Sequence, residues 1–274
     1  MNIKDITGAG EIGKEIVKQA GELAKEPVAN IVNPSTKTLG RRLGDLLDVI
    51  LTPFEIAKIY KDHKVEDFKR SLKNKVNSIP DENKITPPLN VVGPALEAAK
   101  FHIEDDLLRE MFAELIANSM DNRRHDLSHP SFVEIIKQLS PLDAKNIATF
   151  RTNPMRSVAD YELDMGMGLV VAKTPIIRNV VLGIGLDDDI FMSSNSITNL
   201  VRLGLIERDN QKTPREKSEY EIDSVLAQVE AMIRMPIREI PSTPNLPDIK
   251  IAAEVRMIGI TTFGRAFIAS CLPK

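Results

Sequence analysis

Three groups of residues in this 274-residue chain have types and spacings that could do chemistry. Gly8-Ala9-Gly10-Glu11-Ile12-Gly13 fits the G-x-G-x-x-G spacing, in which glycines let a backbone approach a pyrophosphate at a helix N-terminus. That chemistry needs an apolar strand before the glycines and an acid ending the next strand. Only Asn2-Ile3-Lys4-Asp5-Ile6-Thr7 precedes Gly8, and Ala29-Asn30-Ile31-Val32 runs into Asn33-Pro34. The expected role is therefore a Gly-rich helix start, with no cofactor. His125 and His129 stand i, i+4 with Asp126 between them. A zinc pair at that spacing needs one continuous helix and a third ligand, yet Leu127-Ser128-His129-Pro130 interrupts any helix. His129 is expected to cap a turn or bond a backbone carbonyl. The third group is Glu104, Asp105, Asp106, Glu110 and Glu114, carboxylates suited to acid–base work or Mg²⁺. A solvated helix face accounts for them with less and is the expectation. No P-loop, G-x-S-x-G or Cys/His nucleophile pattern occurs, so no catalytic residue and no metal site is expected. Cys271, the single cysteine, sits among Ala266, Phe267 and Ile268 and reads as a small buried hydrophobe.

The elements that must position these groups follow from composition and periodicity. At 42% hydrophobic and 27% charged the chain is that of a globular protein. A net charge of −3 excludes a globally basic nucleic-acid binder, and 4% aromatics without Trp argue against a base-stacking platform. The longest uncharged runs, Ile85–Leu96 and Ile190–Val201, are 12 residues, well short of the roughly 20 that span a bilayer. Met1-Asn2-Ile3-Lys4-Asp5 is no signal peptide, so a cytoplasmic location is expected.

Residues 1–80 carry 14 basic and 11 acidic side chains, net +3, against −4 for 81–160 and −2 for 161–274. Ile12, Ile16 and Leu23, then Leu39, Leu43, Leu46, Leu47, Ile50 and Leu51, then Ile56, Phe68, Leu72 and Val76 recur at helical spacing. From 58 to 75 there are seven basic and three acidic residues. Such a helix can lie on an anionic membrane, meet nucleic acid or dock on a partner; Lys69, Arg70 and Lys73 are the candidate contacts. A solvated outer face over a packed apolar stripe is the simpler expectation.

The centre has sharper signals. Pro94 is expected at the first position of a helix. Glu104–Asp121 sets Leu107, Leu108, Met111, Phe112, Leu115, Ile116 and Met120 on one face, with Asp105 and Arg109 an i, i+4 pair. Ser131-Phe132-Val133-Glu134 reads as a capping box, and Ser140-Pro141-Leu142-Asp143 opens the next helix by N-cap, first-turn proline and N3 acid.

Toward the C-terminus, Ile176–Leu182 reads as a strand, and Ser193–Ser196 offers N-caps to a helix closed by Gly204. Leu205–Arg208 and Glu254–Thr261 read as strands, and Thr261 or Thr262 caps a last helix. This order resembles a winged helix-turn-helix. DNA reading needs cations, and only Arg202 lies between Ser193 and Gly204. Arg208, Lys212, Arg215 and Lys217 of the wing face Asp209, Glu216 and Glu219, net +1. A structural or protein-contact use is expected ahead of DNA binding.

Pro87-Pro88, the run Glu110-Met111-Phe112-Ala113-Glu114-Leu115-Ile116-Ala117-Asn118-Ser119-Met120-Asp121 and the run His129–Pro141 resemble the abortive-infection alpha (Abi-alpha) family. The motif residues are Phe112, His129, Pro130, Ser131, Phe132, Ser140 and Pro141, and the resemblance extends in layout over roughly residues 40–270. It implies a bacterial or phage-borne protein linked to phage resistance, and it supplies no catalytic residues. The expected fold is mainly α with a small α+β part. It comprises amphipathic N-terminal helices (1–80), a central helical module (81–154) and a winged-helix-like domain (155–274). The expected function is a non-enzymatic phage-defence protein contacting a protein partner or phage component. DNA binding through the winged helix and action at an anionic membrane surface through residues 39–76 are the alternatives. The N-terminal stripe would also serve a homo-oligomer.

Overall fold

The computed structural model describes residues 62–86, 88–167, 170–182, 189–209 and 249–273, with positions 225, 227 and 229 between the last two stretches. The glycine motif, the amphipathic stretches before residue 62 and the wing cations Lys212, Arg215 and Lys217 lie outside them. Among the described residues the chain is α+β, with seven bounded α-helices and one four-stranded antiparallel sheet. Of these residues, 62–137 with 270–273 form one compact unit, and those from 138 to 269 form the other.

The first unit is helical: α1 (Asp62–Asn77), α2 (Leu89–Ala99), α3 (Asp106–Ser119) and α4 (Ser131–Lys137). Val65, Phe68, Leu72 and Val76 of α1 are buried at helical spacing, and α1 and α2 both pack on α3. Met111, Phe112, Leu115 and Ile116 of α3 are fully buried, and burying one such side chain contributes about 1.5–3 kcal/mol.

Three local expectations are corrected here. Pro94 lies inside α2, which starts at Leu89 with Pro88 at its N-cap position. The extra turn buries Val91 and Val92, which together offset the ~3 kcal/mol of an interior proline. Asp105 is the N-cap of α3, its carboxylate accepting from Leu108 N at 2.8 Å. Arg109 therefore pairs with Asp106 at 2.9 Å and donates to Ile103 O at 2.8 Å. Ser131 is the first residue of α4 and Glu134 pairs with Lys137 at 2.9 Å, so the expected box does not form.

The second unit holds α5 (Pro141–Thr149), β1 (Met155–Met167), β2 (Val170–Val181), α6 (Ile190–Arg202), β3 (Ile206–Asp209), β4 (Ile249–Ile260) and most of α7 (Thr262–Cys271). The sheet order is β2-β1-β4-β3. The box that opens α5 forms as its sequence predicts: Ser140 Oγ accepts from Asp143 N at 3.1 Å, and Asp143 Oδ2 accepts from Ser140 N at 2.8 Å. α6 begins ahead of the serine run because Asp189 caps it through Phe191 N at 2.8 Å. Its end matches the expectation. Gly204 has φ +70, Leu205 N donates to Leu200 O at 3.1 Å, and Gly204 N donates to Val201 O at 2.9 Å. Thr261 caps α7, accepting from Gly264 N at 2.8 Å. Ala159, Tyr161, Ile177, Val180, Leu182, Ile190, Val225 and Val229 form the core of this unit.

Candidate functional site

The polar residues of the central motif gather on one face of α3. Glu110, Glu114 and Asn118 follow one another at i, i+4 and i+8, a spacing that keeps them in register along a helix. Opposite stands α1, with Ser71 and Lys75 four residues apart. Lys75 Nζ lies 2.7 Å from Glu114 Oε2 and 3.3 Å from Glu110 Oε2, and Ser71 Oγ donates to Glu110 at 2.7 Å. Asn118 Nδ2 reaches Glu114 Oε1 at 3.4 Å and donates to Ser270 O at 2.9 Å. Arg124 NH1 closes the row on Asn118 Oδ1 at 3.4 Å. One turn earlier, Lys64 binds Asp106 at 2.5 Å. The expected solvated acidic face holds at its start, where Glu104 and Asp106 are exposed, and is corrected beyond it: Asp105 caps a helix, and Glu110 and Glu114 meet Lys75 of α1, with Glu114 only 7% exposed.

Burial pulls the Lys75 ammonium down, but the hydrogen bond and charge of Glu114, with those of Glu110, more than reverse it, so Lys75 titrates above its ordinary 10.5. At the end of α3, Asp121 accepts from Arg123 Nε at 2.8 Å and NH2 at 2.6 Å. These bonds hold the Asp121 carboxyl below its ordinary 3.8 against the effect of its burial. Asp121 also bridges Lys84 in a short antiparallel pairing. Burial, with the nearby Glu114 charge, pushes the Cys271 thiol well above 9.0.

The other motif residues are equally committed. Phe112 is fully buried with the His102 ring 5.7 Å from its own, and Phe132 is buried 6.0 Å from the His129 ring. His129 Nδ1 accepts from Ser131 N at 3.1 Å and lies 2.6 Å from Ser131 Oγ. It therefore caps the turn through Pro130 into α4, as its sequence suggests. His125 turns elsewhere, to Asn122 O at 3.1 Å and Asp126 at 3.0 Å. Among the described residues no three His, Cys, Asp or Glu side chains gather as metal ligands. Cys271 is buried, as expected.

The candidate contact cations divide. On α1, Lys69 pairs with Glu66 at 3.1 Å and Arg70 with Asp67 at 2.5 Å, while Lys73 is exposed. Arg202 donates to Asn199 Oδ1 at 2.7 Å and Gln138 Oε1 at 3.0 Å. Arg208 forms an ion pair with the buried Asp160, whose other oxygen accepts from Asn179 N at 2.9 Å. Sequence reasoning missed Lys75, Ser71 and Asp160. The one signal available was the parallel spacing of cations on α1 and acids on α3.

The chain is thus an α+β protein whose central polar residues are bonded within its helical unit. Residues 60–271 match the family model described as abortive infection alpha, and the chain belongs to that family. Membership suggests a part in phage defence by abortive infection. No curated protein and no solved structure matches the chain. Among the described residues no helix is long and apolar enough to cross a membrane.

Proposed function

We propose that this chain is a non-enzymatic phage-defence protein that acts by contacting a protein, of host or phage origin, in the cytoplasm of an infected cell. The observation that carries this reading is the family match over residues 60–271. The internal commitment of the motif supports the contact mechanism. Glu110, Glu114, Asn118, Asp121 and His129 bond to each other and to Ser71, Lys75, Arg123, Arg124, Ser131 and Ser270, where catalytic groups would face a substrate. Phe101, 81% exposed in the turn Lys100–His102, and Leu89, 55% exposed, are apolar groups suited to a protein contact.

The second unit is read as winged-helix-like from the order α6, β3, β4 and α7. Its use is protein contact, because Arg202 and Arg208 are bonded internally. DNA recognition would need them free for phosphates or bases.

The test is plating of a phage panel on cells with and without the chain. Protection by the wild type, weakened by Phe101→Ser with the protein level unchanged, supports the reading. Full protection by Phe101→Ser removes Phe101 from the contact. Salt-dependent shift of duplex DNA by the whole chain, abolished in Arg202→Ala/Arg208→Ala, would favour the DNA reading instead. Flotation with anionic vesicles that depends on Lys69, Arg70 and Lys73 would favour the membrane one.

A further inference from the structure

Leu89 and Phe101 stand at the two ends of one face, made by α2 and the turn that prolongs it. The backbone stays helical through Lys100 (φ −58, ψ −37) to Ile103 (φ −63, ψ −28). Residues 89, 93, 97 and 101 therefore follow one another at i, i+4, i+8 and i+12 along a single stripe. The opposite side of α2 is spent on the core, with Val91, Val92, Ala95, Leu96, Ala98 and Ala99 buried. Leu89, Gly93, Glu97 and Phe101 are all exposed.

The order of these four side chains is complementary to itself. Phe101 and Leu89 are large and apolar, Glu97 is long, and Gly93 is a gap. A Cβ at Gly93 would meet nothing within 4 Å, so the gap opens outward. Position 95 is the midpoint of the stripe. A second copy turned end over end about that point sets Phe101 against the partner's Leu89 and Glu97 over the partner's Gly93. Each contact then occurs twice, as two-fold symmetry requires. Charge agrees with this placement. Glu97 is held by Lys100 of its own chain at 3.0 Å, so closing the face buries no lone charge, the costly outcome. Lys100 comes opposite the partner's Asn90, whose amide oxygen accepts from an ammonium. A parallel copy would instead set Glu97 on Glu97 and leave the gap at Gly93 unfilled.

From this self-complementarity we infer that the outer face of α2 docks a second copy of this chain, antiparallel, with the two Gly93 residues near the crossing. The inference rests on the reading of Leu89 and Phe101 as a protein contact and names the partner of that face. A helical stripe of about 13 residues is only about 20 Å long. It is a small patch beside the ~800 Å² that each partner buries in a standard interface, so the pair is weak and reversible.

Sedimentation equilibrium of the full chain over a concentration series tests it. The mass should rise from one chain toward two between about 1 µM and about 500 µM, the range of a weak interface. Gly93→Glu sets a carboxylate against the partner's Glu97 and should weaken self-association about tenfold or more. Its urea midpoint should be no lower, because the space at Gly93 is open and glycine is a poor helix former. Adding Glu97→Lys turns the repulsion into attraction and should restore the pair. Monomer at every concentration overturns the inference, and so does a dimer that Gly93→Glu leaves unchanged. The two readings fail separately. A monomeric wild type whose protection is lost in Phe101→Ser removes the second copy and leaves the protein contact standing. A dimeric wild type with full protection by Phe101→Ser does the reverse.

Discussion

At the scale of single residues, the account rests on Lys75 and its two carboxylates. Removing the cation leaves Glu114 buried beside Glu110 with only Ser71 and Asn118 as donors. Lys75→Met should therefore cost about 2 kcal/mol, less than a wholly buried pair because Lys75 keeps some exposure. Glu114→Gln should cost less than Lys75→Met, since the amide still accepts from Lys75. Urea unfolding of the two variants checks the order, and a silent Lys75→Met would mean the pair is a surface pair in solution. The same groups set the pH dependence. Asp121 has its folded value lowered beneath 3.8, so its contribution is present above that pH and is lost as pH falls through the folded value. Lys75 has its folded value raised above 10.5, so its contribution is complete below 10.5 and is lost as pH rises through the folded value. Unfolding midpoints should be flat between these limits as far as these two groups go. In Asp121→Asn the decline on the acid side should be shallower.

At the scale of elements, caps and glycines separate what the sequence makes legible from what it does not. Ser140→Ala should cost about 1 kcal/mol, as loss of an N-cap does. Gly204→Ala should cost about 1–2 kcal/mol, because φ is +70 there while the space around it is open. Gly264 presents the opposite case. A Cβ there would lie 2.0 Å from the Leu205 carbonyl oxygen, so Gly264→Ala should cost about 3 kcal/mol or more. Equal costs for the two glycine variants in urea unfolding would contradict this packing of α7 on the Leu205 backbone just before β3.

Ser140-Pro141-Leu142-Asp143, Gly204 and Thr261 were readable because each carries its signal within four residues of chain. β1 was not read as a strand, since Asp160 and Glu162 alternate along it and look like solvent-facing residues. Asp160 is buried because Arg208, 48 positions later, neutralises it, and no local pattern reports such a partner. Glu110 and Glu114 of α3 were misjudged for the same reason, their shared cation Lys75 lying 39 residues before Glu114. The start of α6 shifted because Asp189 competes successfully with Ser193, Ser194, Asn195 and Ser196 for the cap.

At the scale of the whole molecule, the family match and the internal commitment of its motif point the same way. The motif bonds α1, α3 and the end of α7 to one another. Phe112→Ala, which empties the centre of that unit, should cost about 3–5 kcal/mol and abolish protection through loss of folded protein. Lys75→Met should weaken protection only as far as it lowers the folded fraction. The most direct measurement of the central claim is growth of liquid cultures, with and without the chain, challenged by a sensitive phage at low and at high infection ratios. The account predicts that the culture survives at the low ratio and collapses at the high one, with few progeny phage released per infected cell. Survival of infected cells at the high ratio, or a normal yield of progeny at either, would contradict it.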